Sequence, residues 1–201
     1  NLLLECGFHT VEVGSFVSPK LIPQMADTAK VIKSLKTDNT NSNLAVLVAT
    51  KKGAESACEF EVINELFFPF AVSSTFLQKN IKQTIEQAII NIYEIQNLCV
   101  KHGKELITYF SMGFESSYGD DWNMDMLYKY VEVFTTMGLK TFPFSDIFGN
   151  VSPIKINEVF KLLNSEFSEV EFGLHLHSLD NGRLEKVDAA YKAGIRRFDT
   201  V

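Results

Sequence analysis

Hydrophobic positions along this chain follow two periodicities that alternate. Short runs of apolar and β-branched residues at 10–14, 44–49, 63–70, 105–111, 140–145, 169–176 and 196–201 read as strands. Apolar residues at helical spacing fill 23–35, 53–59, 84–102, 125–137, 153–163 and 184–193. Gly103, Gly138 and Gly194 stop three of these helices, and Gly7 closes what reads as the last turns of another. Pro69 predicts that the third strand ends there, because proline cannot donate to a ladder.

Strictly alternating strands and helices, with strands that are apolar throughout, imply parallel pairing under covering helices. No Gly-x-Gly-x-x-Gly follows a strand, which disfavours a dinucleotide-binding sheet. The expectation is an α/β chain with the TIM (β/α)8 barrel fold. Residues 1–201 would form a single catalytic domain lacking the first strand and the segment after the start of the last, cut at both ends.

Composition narrows the partners. The 201 residues are 46% apolar, with a net charge of -6 and a pI near 5.3. That balance argues against a nucleic-acid surface or a basic membrane-binding face. No apolar run reaches the roughly 20 residues a bilayer span needs. Cys6, Cys58 and Cys99 are scattered, which reads as reduced intracellular thiols.

Barrel chemistry sits at the C-terminal ends of strands. The polar residues there are Glu12, Thr50 with Lys51, Ser73 with Ser74, Ser111, Asp146, and His175 with His177. One leucine separates the two histidines, so strand alternation puts both imidazoles on one face, where they can bind a single divalent ion. With carboxylates at the same rim, Mg²⁺ or Mn²⁺ is the expected metal. Plainer readings stand beside these. A His-x-His pair also arises by chance, Glu12 could pair with a lysine, and Asp146 could cap the turn after it. Ser15 and Ser18 read as loop hydrogen-bonders, and His9 and His102 as structural or solvated. Asp120-Asp121 reads as a solvated loop, Trp122 and the Phe67-Phe68-Pro69-Phe70 cluster as packing. The direction of Asp199 is open.

The run Val11-Glu12-Val13-Gly14-Ser15-Phe16-Val17-Ser18-Pro19-Lys20, followed by Ile22-Pro23-Gln24-Met25-Ala26-Asp27, resembles the second-strand signature of 3-hydroxy-3-methylglutaryl-CoA lyases. Ser145-Asp146-Ile147-Phe148-Gly149 is similar to the Gly-Asp-Thr-x-Gly turn of that family, and Gly173-Leu174-His175-Leu176-His177 to its His-x-His strand. The resemblance implies that His175 and His177 are metal ligands. It implies catalytic roles for His175, Asp146 and Glu12, and places Ser15 and Thr50 near the substrate. The implied reaction is metal-dependent retro-Claisen cleavage of an acyl-CoA, 3-hydroxy-3-methylglutaryl-CoA, to acetyl-CoA and acetoacetate, as in leucine degradation and ketone-body metabolism. A homodimer in the cytoplasm or the mitochondrial matrix is expected. Departures are visible: Ser145 stands where the family has Gly, Thr50 where Asn is common, and Ser178 where an Asp follows the second His. The family's first-strand Arg-Asp pair would precede Asn1; its catalytic Cys loop and metal-binding Asn would follow Val201. Two other readings remain open, a Claisen-condensing synthase of the same superfamily and a non-catalytic barrel that binds acyl-CoA or a partner protein.

Overall fold

The computed structural model describes residues 1–177 and 182–200. Its strands, β1 (Thr10–Ser15), β2 (Asn43–Leu47), β3 (Glu65–Ala71), β4 (Glu105–Ser111), β5 (Thr141–Asp146), β6 (Glu171–Leu176) and β7 (Arg197–Phe198), form one sheet in chain order. The helices are α1 (Leu2–Glu5), α2 (Thr28–Ser34), α3 (Lys51–Cys58), α4 (Ser74–Asn80), α5 (Ile85–His102), α6 (Met124–Thr136), α7 (Pro153–Glu166) and α8 (Arg183–Lys192). Parallel pairing in chain order with intervening helices is the (β/α)8 barrel pattern that the sequence predicts. None of the described helices is long and apolar enough to cross a membrane.

The chain divides into two compact units, Asn1–Pro69 with Ile89–Ile107, and Phe70–Ala88 with Thr108–Val201. In the first, β1 and β2 pair from Thr10↔Asn43, and β2 and β3 from Ala45↔Glu65. Leu44, Ala45, Val46, Leu66 and Phe68 are buried, which explains the unbroken apolar runs. Gly14 adopts φ +153°, and a Cβ there would lie 2.7 Å from the Thr28 side chain. That close approach lets Thr28 Oγ1 accept the Ser15 amide at 3.1 Å.

The second unit is built on phenylalanine. Phe110 stacks on Phe144 with ring centroids 4.8 Å apart, and Phe70 meets Phe134 edge-on at 4.8 Å. Phe142, Phe160 and Phe172 extend the cluster, each in ring contact with a neighbour. Such pairs add about 0.5–1.5 kcal/mol each beyond the area they bury. Phe142 and Phe144 lie on β5 and Phe172 on β6, so the cluster packs along the strands whose ends carry the candidate chemistry.

Several local expectations change. Pro69 does not end β3, which runs on to Ala71. Its register with β2 finishes at Leu47↔Phe67, so β2 never needs the missing Pro69 amide. The helix expected over 23–35 is a 3-10 turn, Pro23–Met25, followed by α2 after a break at Asp27. Helix α4 was not expected; Ser73 starts it by accepting the Phe76 amide at 3.0 Å. Asp120 is not a merely solvated loop residue. Its carboxylate receives the Ser73 hydroxyl, the Thr75 amide at 3.0 Å and the Thr75 hydroxyl at 2.8 Å. Val201, expected in the last strand, and Ser178 lie outside the described residues.

Candidate functional site

Strand β6 pairs with β5 through six successive positions, ending Ser145↔His175 and Asp146↔Leu176. The backbone N–H of His177, one residue past β6, donates to the Asp146 carbonyl at 3.1 Å. That bond keeps the chain extended for one further residue. The two imidazoles therefore converge as the alternation argument requires, although His177 lies outside the strand. Their Nε2 atoms are 3.1 Å apart.

A metal ion held at about 2.1 Å from each nitrogen, with the ligands at right angles, needs a separation of about 3.0 Å between them. The far side of the His175 ring supports the same assignment. Nδ1 donates to Asp199 Oδ2 at 2.8 Å, and the Tyr109 hydroxyl donates to that oxygen at 2.9 Å. A neutral ring with its proton fixed on Nδ1 presents the Nε2 lone pair outward, the carboxylate–histidine arrangement of metal sites. The Tyr109 ring meets His175 edge-on at 5.4 Å, which limits rotation of the imidazole. These donors fit a divalent ion. Among the described residues no group of three or more His, Cys, Asp or Glu side chains gathers to hold one.

Partial burial, and then the charge of His175, hold the His177 imidazole below the usual histidine range, while Asp146 pulls it upward. A lowered value favours the neutral ring, the form that binds metal.

Asp146, the last residue of β5, is buried at 2% exposure. Its Oδ2 forms an ion pair with Lys186 Nζ at 2.9 Å and accepts the Val151 amide at 3.2 Å. The turn-capping reading of Asp146 therefore holds alongside any role at the site. It also borders a small cleft with Ser145, Met112, Phe114 and Phe148. Met112, directly after β4, has φ +58°, a conformation that favours glycine, and the next amide, Gly113, donates to Ser145 at 3.2 Å. At Gly113 a Cβ would come within 2.6 Å of the Phe144 ring.

Glu12, Ser15 and Thr50 belong to the first unit. Glu12 is exposed and third in the six-residue β1, not at its end. The Ser15 hydroxyl donates to the Leu47 carbonyl at 3.1 Å and accepts the Val17 amide at 3.3 Å, the loop-bonding role weighed for it. Thr50 Oγ1 accepts the Gly53 amide at 3.2 Å and so caps α3.

Sequence reasoning missed Tyr109 and Lys186 and left Asp199 undirected. Tyr109 is one polar hydroxyl in an aromatic-rich strand, with nothing in its spacing to distinguish it. Lys186 did carry a signal. It shares a helix face with Ala189 and Ala190, a face the fold buries, where a lysine is out of place.

The HMGL-like family model matches residues 1–201. The hydroxymethylglutaryl-CoA lyase YngG of Bacillus subtilis is 27% identical over 199 residues, covering 99% of this chain and 66% of that protein. A crystal structure of the Bacillus subtilis HMG-CoA lyase superposes with a TM-score of 0.92 at 27% identity, over 99% of this chain and 66% of that one. An HMG-CoA lyase from Acinetobacter baumannii, in complex with coenzyme A and 3-methylmalate, gives a TM-score of 0.88 at 25% identity, over 99% and 65%. The chain thus spans 66% of the length of the Bacillus subtilis relative.

Proposed function

We propose that this chain, which belongs to the HMGL-like family, carries the metal-binding strand of a carbon–carbon lyase that cleaves 3-hydroxy-3-methylglutaryl-CoA to acetyl-CoA and acetoacetate. The observation that carries the reading is the convergence of His175 and His177, their Nε2 atoms 3.1 Å apart with the first ring anchored on Asp199. Coenzyme A in the Acinetobacter baumannii relative supports an acyl-CoA as the ligand class.

His175 and His177 would hold Mg²⁺ or Mn²⁺, which supplies Lewis-acid polarisation of a substrate oxygen. Asp199 and Tyr109 orient the His175 ring and keep its proton on Nδ1. Removal of the tertiary hydroxyl proton lets that oxygen become the ketone of acetoacetate as the C–C bond breaks. The bonding pair passes to the thioester fragment, which takes up a proton to become acetyl-CoA. Glu12 is the proposed acid–base partner, while His175, with Nδ1 held by Asp199 and Nε2 turned to the metal, is proposed to act as a ligand. Asp146 orients, because one of its oxygens is held by Lys186. Ser15 and Thr50 are proposed substrate contacts.

Acetyl-CoA release from 3-hydroxy-3-methylglutaryl-CoA by the full-length protein, followed by a coupled assay with and without Mg²⁺ or Mn²⁺, tests the reading. Absence of a metal-dependent product across the substrate range would overturn it.

A further inference from the structure

Lys186 is a charged side chain in a buried place. It lies on α8 at 5% exposure, and its ammonium meets Asp146 Oδ2 at 2.9 Å and the Gly149 carbonyl at 2.7 Å. Burying an ammonium is unfavourable unless it is paired and hydrogen-bonded, and both conditions are met here. Neither partner is an ordinary core residue. Asp146 ends β5, and Gly149 lies in the turn leading to α7.

Asp146 works through two groups. Its carboxylate takes Lys186 and the Val151 amide, while its backbone carbonyl accepts the amides of His177 at 3.1 Å and Gly149 at 3.3 Å. The His177 amide bond is the only one of these that continues the β5–β6 ladder past Leu176. A path of direct contacts thus runs from Lys186 to the Asp146 side chain, through its backbone, to the backbone amide of His177. Gly149, held by the same ammonium, donates its own amide to the Asp146 carbonyl and closes the turn.

We propose that Lys186 is a positioning residue for the His175–His177 pair: it fixes the end of β5 from α8, and the Asp146 carbonyl so fixed sets where His177 sits. This rests on the lyase reading only in treating the histidines as metal ligands. The geometric claim, that Lys186 holds the His177 backbone, stands apart from it. The same contact commits the Oδ2 of Asp146 to a largely buried cation.

The test compares Lys186→Met, which keeps length and loses charge and donors, with Lys186→Arg, which keeps both, in the full-length protein. Hydrogen exchange of the His177 amide is read against amides inside β6, beside calorimetric titration with Mn²⁺. Lys186→Met is expected to speed His177 exchange at least about tenfold relative to the β6 amides, and to weaken Mn²⁺ binding about 10- to 100-fold, the usual effect of losing an outer-shell support. Lys186→Arg is expected to retain most of both. Should Lys186→Met not fold, Lys186→Gln, with a shorter uncharged donor, takes its place. Unchanged His177 protection overturns the proposal, as does lost protection with unchanged Mn²⁺ affinity. If the parent protein binds no Mn²⁺, the metal reading fails instead, and His177 exchange alone decides the role of Lys186.

Discussion

Asp199 Oδ2 accepts the Nδ1 proton of His175 at 2.8 Å, joining β6 to the residue just past β7 through a side chain on each. The Asp199 amide also donates to the Leu174 carbonyl at 3.1 Å, so backbone and side chain fasten the two strand ends together. One carboxylate thereby sets the tautomer of the first imidazole and the direction of its free nitrogen.

Replacing Asp199 by Asn should weaken Mn²⁺ binding about 10- to 100-fold, as outer-shell losses at histidine ligands do. The pair is partly exposed, so the melting temperature should move little. Tyr109→Phe removes the second donor to the same oxygen and should give a smaller loss. Titration calorimetry reads both, and unchanged affinity in Asp199→Asn would remove Asp199 from the site.

His177→Ala should lower metal affinity far more than stability. The residue is exposed, and the substitution leaves its amide bond to Asp146 in place. Calorimetric titration beside a denaturation curve separates the two effects; equal affinity in the variant would count against His177 as a ligand.

Asp120 ties the loop before α6 to the start of α4. Hydrogen bonds from Ser73 and then Thr75 hold its carboxyl below the ordinary 3.8, outweighing the opposing effect of burial. A depressed folded value makes this contribution fully present above pH 3.8 and lost as pH falls through the folded group's own titration. Asp120→Ala should therefore destabilise by about 1–3 kcal/mol near neutrality, toward the lower end because the group is partly exposed. Urea unfolding of both proteins should show the gap narrowing in acid.

Phe144 stacks on Phe110 and meets Phe114, Phe160 and Phe172 edge-on, with no exposed surface of its own. Phe144→Ala should lower stability by about 3–5 kcal/mol, measured by chemical denaturation, the range for emptying a large aromatic site in a packed core.

Cys58 and Cys99 are buried and Cys6 is exposed. Burial, with a smaller contribution from the neighbouring Cys58, pushes the Cys99 thiol up to about 12, and burial raises Cys58 as well. Thiolate is the reactive form, so a thiol reagent at neutral pH should label Cys6 rapidly. The other two should react only on unfolding, and mass mapping of the labelled native protein checks this.

The alternation of apolar strands and helices determined the fold class, because a strand buried on both faces must be hydrophobic throughout and a covering helix must repeat near 3.6 residues. The His175-Leu176-His177 spacing determined that two imidazoles share a face. Gly103, Gly138 and Gly194 placed the ends of three helices, since a C-terminal stop is a local requirement of the chain. Pro69 misled because whether a strand needs a given amide depends on its neighbour's register. Helix α4 was missed because seven residues with little periodicity are held by Ser73 and by Asp120, far along the sequence. Only the tertiary structure could direct Asp199 and Tyr109 at one imidazole and pair Lys186 with Asp146. Those contacts join residues 24 to 90 positions apart, and no local preference encodes which distant carboxylate a ring nitrogen or an ammonium will meet.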